Sequence, residues 1–175
     1  RTVFEDNFAG VNGGAIISHS STLILTDVQF IHNRAQNGGA LSASGGSIVF
    51  NRLLTVENQA IDGCGGALSL SVGDYQIHDS ILTKDTATEG LSGGGCIHAD
   101  AVQLRLQNTA VMFPFTNSPS GGGGIAALGS TLLLEGSTII GGVSKNGPGG
   151  AIVTHLCKLH IKNSTMKYNS RSEER

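Results

Sequence analysis

Residues 38–50 read Gly-Gly-Ala-Leu-Ser-Ala-Ser-Gly-Gly-Ser-Ile-Val-Phe, and the first four of them form a motif that recurs along the chain. Each copy has two glycines, one small residue and then Ile or Leu. The six copies lie 25 to 29 residues apart, at Gly13–Ile16, Gly38–Leu41, Gly65–Leu68, Gly94–Ile97, Gly122–Ile125 and Gly149–Ile152. Self-similarity at such a period indicates one structural unit that is copied several times.

A second pattern lies at a constant distance from each motif. Seven residues after the motif aliphatic comes another apolar residue, and a third follows two places later, as Ile48 and Phe50 do after Leu41. Alternation with a period of two is typical of β-strands. Residues one repeat apart are therefore predicted to form three inward columns: Ile16, Leu41, Leu68, Ile97, Ile125 and Ile152; Leu23, Ile48, Tyr75, Leu104, Leu132 and Leu159; and Leu25, Phe50, Ile77, Leu106, Leu134 and Ile161.

The repeats differ in length in one segment only, which precedes each glycine pair. These segments are residues 36–37, 61–64, 88–93, 117–121 and 145–148. A constant scaffold with one variable loop is typical of a solenoid. A unit of about 27 residues without an amphipathic helix cannot bury its own apolar face, so it must stack on its neighbours.

The predicted fold is all-β, a right-handed parallel β-helix of about six to seven rungs of roughly 27 residues, with little or no helix. Right-handedness follows the general preference of parallel crossovers. Leucine-rich repeats are the nearest alternative, but their Leu-x-x-Leu-x-Leu-x-x-Asn pattern is missing. We expect a single domain over residues 1–175, a segment of a longer repeat protein, with rungs that start near Gly13, Gly38, Gly65, Gly94, Gly122 and Gly149.

The composition excludes several classes of partner. The 175 residues include 26 glycines and carry a formal charge of −2, without a run of Lys or Arg. Nucleic acid is therefore not an expected partner. Because the sequence lacks an apolar stretch of membrane-spanning length, direct membrane insertion is not expected either. No cofactor-binding motif is present, since the glycine runs at 93–95 and 121–124 lack the Lys-Ser/Thr and the helix of a phosphate loop.

One column of the predicted stack is rich in asparagine. Side-chain amides at one turn position can hydrogen-bond from rung to rung, which makes this column a structural ladder. Pro114 and Gly142 interrupt it, so we expect local irregularity in the fourth and fifth rungs. The ladder residues are Asn7, Asn33, Asn58, Asp85 and Asn169.

Charged residues also align on successive rungs. Asp27, Arg52 and Asp79 form one column, and Asp6, His32, Glu57 and Lys84 form another. One interpretation is a set of ladders that stabilise the register of the strands. The alternative is catalysis, because Asp and Arg on one outward strand face have the residue types of β-helical polysaccharide lyases and hydrolases.

Other reactive residue types do not converge. The histidines fall in different columns except His19 and His155, which lie five rungs apart, so no metal site is predicted. Cys64, Cys96 and Cys157 are out of alignment and are expected to be free, buried thiols. Asn163-Ser164-Thr165 is a glycosylation sequon, which makes Asn163 a possible modification site.

The tetrads together with Phe30-Ile31-His32-Asn33 resemble the repeats of the chlamydial polymorphic outer membrane proteins. Gly13–Ile16, Gly38–Leu41 and Gly149–Ile152 match well, whereas Cys96, Pro114, Gly124 and Gly142 depart from the motif. The resemblance implies a right-handed β-helical passenger domain that serves adhesion and surface display, with no catalytic residue to transfer.

The function predicted from these observations is a non-enzymatic extracellular or cell-surface scaffold, either adhesin-like or a component of a fibre. We expect other protein chains or cell-surface ligands to bind its side wall or its ends. Because loop length can change without disturbing the ladder, the loops are the candidate binding surface. Their candidate residues are Thr88, Glu89, Leu91, Asn117, Ser118, Lys145 and Asn146. The alternative is a β-helical polysaccharide lyase or glycoside hydrolase that uses Asp27, Arg52 and Asp79.

Overall fold

A computed structural model describes residues 1–90 and 93–172, and every regular element in these two segments is a β-strand. The earlier strands are β1 (Thr2–Glu5), β2 (Ile16–Thr26), β3 (Val28–Ile31), β4 (Arg34–Ala35), β5 (Leu41–Asn51), β6 (Leu54–Val56), β7 (Gln59–Gly63), β8 (Leu68–His78), β9 (Ile81–Thr83) and β10 (Thr86–Glu89). The later ones are β11 (Ile97–Gln107), β12 (Ala110–Met112), β13 (Phe115–Thr116), β14 (Ile125–Leu128), β15 (Thr131–Glu135), β16 (Thr138–Ile140), β17 (Val143–Ser144), β18 (Ile152–His155), β19 (Lys158–Lys162), β20 (Thr165–Lys167) and β21 (Ser170–Arg171).

These strands form three parallel sheets, which are the walls of a solenoid of about six turns. Wall one contains β1, β3, β6, β9, β12, β16 and β20, and wall two contains β4, β7, β10, β13, β17 and β21. Wall three contains β2, β5, β8 and β11. In its last two rungs the long strand is divided in two, into β14 and β15 and then into β18 and β19. Each strand pairs with the equivalent strand one repeat away, as Leu41 does with Leu68. The predicted parallel β-helix and its repeat of about 27 residues are confirmed.

The predicted inward columns are the columns of the structure. Ile48 pairs with Tyr75 and Tyr75 with Leu104, and all three side chains are buried. In the last rung the same columns are open, with Leu159 40% and Ile161 48% exposed. Burial of a large apolar side chain contributes roughly 1.5–3 kcal/mol, so the middle rungs hold most of the stabilising core.

The second glycine of each tetrad lies where successive rungs approach most closely. A Cβ atom on Gly39 would overlap the carbonyl oxygen of Gly66, one rung further on, and would lie 2.5 Å from the backbone nitrogen of Gln59 on wall two. The same relation joins Gly14 to Gly39 and Gly66 to Gly95. Contact with backbone on two sides is the physical reason for this glycine column.

The chain turns from one wall to the next at two further columns, in each of which one residue per rung has a left-handed backbone conformation. Their φ angles lie between 49° and 65°, a region that costs most L-residues about 1–2 kcal/mol. The column between walls three and one contains Asp27, Arg52, Asp79, Asn108, Gly136 and Asn163. The column between walls one and two contains Asp6, His32, Glu57, Lys84, Phe113, Gly141 and Tyr168.

Wall three is built from strands of 11 residues in its first four rungs. Ser20, Val72 and Ala101 bend these long strands through a left-handed conformation without breaking the pairing on either side.

Among the described residues no helix has the length and hydropathy needed to cross a membrane.

Candidate functional site

The three residues considered for catalysis lie in the turn between walls three and one. Arg52 donates from Nε and Nη2 to the two carboxylate oxygens of Asp27, each at 2.7 Å. Asp79 instead accepts a hydrogen bond from Asn108 Nδ2 at 3.1 Å. The structure therefore joins Asp27 to Arg52, whereas Asp79 is hydrogen-bonded to Asn108 on the next rung and not to Arg52.

The electrostatics of this pair are those of a surface ion pair. The Arg52 guanidinium holds the pKa of Asp27 below its usual range, mainly through the hydrogen bond, and Asp27 raises the pKa of Arg52 in return. Both side chains are about half exposed. A carboxylate that is neutralised in this way is a poor general acid or base at neutral pH.

The second charged column is a chain of alternating contacts. His32 Nδ1 lies 3.7 Å from Asp6, its Nε2 lies 3.5 Å from Glu57, and Lys84 Nζ donates to Glu57 at 3.1 Å. Glu5, Asp6 and His32 also bring three potential metal-ligand atoms within 4.8 Å of one another, although all three residues are exposed. Because stacking of charges explains this group without an ion, it is not assigned as a metal site.

The asparagine column forms a continuous buried ladder over three rungs. Asn33 Nδ2 donates to Asn58 Oδ1 at 2.9 Å, and Asn33 Oδ1 accepts from the backbone nitrogen and Nδ2 of Asn7 at 3.1 and 2.8 Å. Asn33 and Asn58 also donate to wall-one carbonyls of the preceding rung, those of Phe4 at 2.9 Å and of Phe30 at 3.0 Å. Asn169 lies beyond the interruption, where its Oδ1 accepts from the Gly142 backbone at 2.8 Å.

Asp85 occupies the ladder position after Asn58 and is fully buried. Its Oδ1 accepts from the backbone nitrogen and Nδ2 of Asn58, both at 2.9 Å. Its Oδ2 accepts from Thr55 Oγ1 at 2.5 Å and from Cys96 Sγ at 3.5 Å. Burial raises the pKa of Asp85 to about 6, against the opposing effect of these donors.

The predicted binding loops are only partly available to a partner. Thr88 and Glu89 belong to β10 and pair with Ile61 and Gly63 of β7, so they are strand residues rather than loop residues. Ser118 is buried, and its Oγ accepts from the backbone nitrogen of Gly93 at 3.1 Å. Leu91 lies outside the described residues.

Two later loops are exposed and stack on each other. Asn146 Nδ2 donates to Asn117 Oδ1 at 2.8 Å, and Lys145 and Asn146 are exposed. The tips Pro119, Ser120 and Pro148 border a groove of about 590 Å³. The predicted loops 117–121 and 145–148 contain these tip residues, but the candidate residues named within the loops did not include them, although two prolines in loops of variable length are a visible signal of a rigid surface feature.

Wall three forms the floor of this groove. Ala126 and Leu128 of β14 lie next to Val153 and His155 of β18, and His98 lies one rung earlier in the column of Ala126. The neighbours of Ala126 in its column are His98 and Val153, whose side chains are larger. The small side chain of Ala126 therefore makes the groove deeper at this point. Apolar and polar side chains are mixed in the lining of the groove, which suits a protein or peptide contact.

The remaining predicted residues are Asn163 and the three cysteines. Asn163 is exposed at a left-handed turn position, so its side chain is reachable for glycosylation. None of the three cysteines forms a disulfide, but only Cys96 is buried, and the prediction of three buried thiols was wrong for Cys64 and Cys157. Cys64 is half-buried because it lies at a turn after β7, and Cys157 is half-buried because it lies in the last rung, one rung beyond the buried Ser130 of its column.

The fold and its turn ladders define a parallel β-solenoid that is stabilised by stacked side chains. The family model for the Chlamydia polymorphic membrane protein repeat matches residues 1–18, which contain Phe4, Asn7 and the first tetrad. The chain is also similar to the probable outer membrane protein PmpD of Chlamydia trachomatis serovar D, with 30% identity over 135 residues. This match covers 71% of the chain and 9% of that protein. No solved structure matches the chain.

These comparisons identify the repeat. The chain is built from chlamydial polymorphic membrane protein-type repeats, as the tetrads and the Phe-x-x-Asn marker predicted. The structure explains both motifs, because the second tetrad glycine admits the neighbouring rung and the asparagine forms the ladder.

Proposed function

We propose that the chain is a non-enzymatic, adhesin-like scaffold at the cell surface. The observation that carries this proposal is that the charged turn residues pair with each other from rung to rung. Asp27, Arg52, Glu57 and Lys84 stand at left-handed turns and bond along the stack, which leaves their groups occupied in structural ladders. The similarity to a protein named as a probable outer membrane protein supports a surface location.

A partner would bind the side wall rather than a catalytic cleft. The groove between the loop tips and wall three offers apolar area at Leu128 and Val153 next to the polar Ser120 and Asn146. A protein or cell-surface ligand with an apolar side chain fits this surface. If the groove were repeated along a longer rod, several weak contacts would together give a higher avidity. The ends of the rod are a second candidate contact surface, on which a further rung of the same or another chain would stack, as in a fibre.

Two experiments test the surface role. Antibodies against the purified chain are expected to label intact cells of the source organism without permeabilisation. Labelling that requires permeabilised cells contradicts the surface location. In the second experiment, beads coated with the chain are expected to attach to a cell layer more than beads coated with albumin.

The groove is tested in the same bead assay. A variant with Ala126→Leu, which fills the floor, is expected to reduce attachment. The matched control is Thr131→Leu, which adds a similar side chain on wall three outside the groove. Equal attachment by the variant and the control contradicts the groove as the contact surface but leaves the surface location intact.

The polysaccharide lyase or hydrolase alternative has no specific geometry in its favour. Asp27 and Arg52 neutralise each other, and Asp79 bonds to Asn108. If the chain cleaves acidic glycans and Asp27→Asn abolishes the cleavage, the non-enzymatic proposal is wrong.

A further inference from the structure

The outer face of wall one is an apolar sheet surface. Its middle strands turn one residue inward and the residues on either side of it outward, as β6 does with Thr55 buried between Leu54 and Val56. Of the ten outward positions of β3, β6, β9, β12 and β16, seven are apolar and none is charged. The larger side chains among them are Ile31, Leu54, Val56, Ile81, Met112 and Ile140.

The outer face of wall three shows that this is not a general property of the fold. In the second halves of β2, β5, β8 and β11, the twelve outward positions hold two apolar residues, Ile24 and Val49. The other ten are polar or charged, such as Gln76 and Arg105. A contiguous apolar patch on an outer surface indicates an interaction site. Wall one is therefore a candidate interface.

Charged residues at the two turn columns flank the apolar face. Arg52 and Glu57 lie at the two ends of β6, and Asp79 and Lys84 lie at the two ends of β9. The two corners of one rung are thus occupied by opposite charges, which are five residues or roughly 17 Å apart along an extended strand. Arg52 binds Asp27 through Nε and Nη2, which leaves its Nη1 for a group outside the rod. An apolar centre with a charged rim is the usual composition of a protein interface.

A second copy of the chain complements this face when the two rods lie side by side and point in the same direction. A two-fold axis parallel to the rods then brings the two wall-one faces together and places opposite corners of the same rung next to each other. Arg52 of one copy meets Glu57 of the other, and Asp79 of one copy meets Lys84 of the other. Symmetry repeats each ion pair on the other side of the interface.

The opposite direction of the rods lacks this complementarity. With full overlap of the two walls, each turn column would then lie against itself with its rungs in reverse order. Arg52 would lie opposite Gly136, and Lys84 would lie opposite Phe113. Because neither contact is an ion pair, charge complementarity favours the rods that point in the same direction.

We propose that wall one is a self-association surface through which two copies of the chain form a parallel, two-fold symmetric dimer. Seven strands at a spacing of about 4.8 Å and corners roughly 17 Å apart give a contact face of roughly 500 Å² on each copy. The total of roughly 1,000 Å² lies at the lower end for specific interfaces, so the dimer is weak in solution. Association stops at two copies, because the face is used up by its own symmetry. The dimer does not depend on the adhesive function proposed above.

Sedimentation velocity of the purified chain tests the surface. Between about 10 μM and about 1 mM, a reversible equilibrium between monomer and dimer is expected. Ile81→Lys places a charge inside the apolar face and is expected to raise the Kd for dimerisation at least about tenfold. Val49→Lys is the matched control, because it makes a similar change at an outward position of wall three, and it is expected to dimerise like the unsubstituted chain.

Circular dichroism checks that both variants keep their β-structure. A chain that stays monomeric at every concentration overturns the proposal, as does equal dimerisation by the two lysine variants. A series of oligomers beyond the dimer that Ile81→Lys leaves unchanged shows stacking of the rod ends instead and also overturns it.

Zero-length crosslinking tests the direction of the rods and needs no substitution. A carbodiimide joins a carboxylate to an amine that touches it. Lys84 and Glu57 of one chain, 3.1 Å apart, supply an internal control. In the parallel dimer a link between Lys84 of one copy and Asp79 of the other is expected, and a mixture of isotope-labelled and unlabelled chains shows that it joins two copies. A crosslinked dimer without the Lys84–Asp79 link overturns the parallel arrangement.

Discussion

Arg52 lies one rung beyond Asp27 and reaches back along the rod, so that its Nε and Nη2 each donate to a carboxylate oxygen of Asp27 at 2.7 Å. Both residues have a φ of 54°, which places them in the left-handed turn between walls three and one. Lys84 and Glu57 repeat the relation in the other turn column, at 3.1 Å. These ion pairs thus join turn residues of successive rungs, which the stacking of the turns brings together.

Substitution of this ion pair is expected to have a small effect on stability. The lowered pKa of Asp27 means that the pair stabilises the fold above the ordinary Asp range near 3.8 and that this contribution is lost as the pH falls through the lower native pKa. Because both side chains are exposed, salt screens the pair. We expect Asp27→Asn and Arg52→Gln each to lower Tm slightly in low salt, and the double variant to lower it no further than either single change.

A thermal double-mutant cycle in low and high salt checks this prediction. The coupling between the two sites is expected to shrink in high salt. A large coupling free energy that persists in high salt would contradict the interpretation of Asp27 and Arg52 as a screened surface ion pair.

Gly39→Ala is expected to destabilise the rod by more than about 3 kcal/mol or to prevent folding, because the new methyl group overlaps the Gly66 carbonyl. Gly10→Ala is the matched control, since nothing lies within 4 Å of a Cβ at that position. Urea unfolding of both variants measures the difference. Similar stability of the two variants would contradict close approach as the reason for the glycine column.

Asn33→Ala is expected to cost about 2–4 kcal/mol, because it removes the side-chain hydrogen bonds to Asn7, Asn58 and the Phe4 carbonyl and leaves the Nδ2 of Asn7 without its partner. Asn51→Ala, on the outer face of wall three, is expected to have little effect. Chemical denaturation at neutral pH compares the two. Equal losses would show that the ladder adds nothing beyond ordinary surface contacts.

Asn108→Val is expected to cost about 1–2 kcal/mol, because φ at this position is 50° and a β-branched residue is strained there. Asn108→Gly removes the same hydrogen bond to Asp79 without the strain and is expected to retain stability better. Gln107→Val tests valine in the adjacent strand position of β11, where it is expected to be tolerated. If Asn108→Gly is as unstable as Asn108→Val, the backbone conformation is not the cause.

The repeat makes the architecture predictable from sequence. The interval between tetrads equals the interval between paired strands, so periodicity alone places Leu41, Leu68 and Ile97 in one column. The turn columns are harder to predict, because Arg52, Glu57 and Lys84 are not residue types that signal a positive φ. Gly136 and Gly141 lie in the same columns and are the signal that the sequence offers.

The binding surface depends on details that periodicity does not contain. Ser118 and Asn146 both come from variable loops, yet one is buried under a backbone contact and the other is exposed. Loop length does not decide which side chain turns inward, since that depends on hydrogen bonds with the neighbouring rung.

By itself, the sequence determined the rung length, the inward columns and the asparagine ladder, because each is a local pattern repeated at a constant interval. Only the tertiary structure decided that Asp27 bonds to Arg52 while Asp79 bonds to Asn108, and that Asp85 meets Thr55 and Cys96 in the core. The physical reason is that a column predicts which residues are neighbours along the stack, whereas the direction of each side chain and its access to water depend on all the walls packed around it.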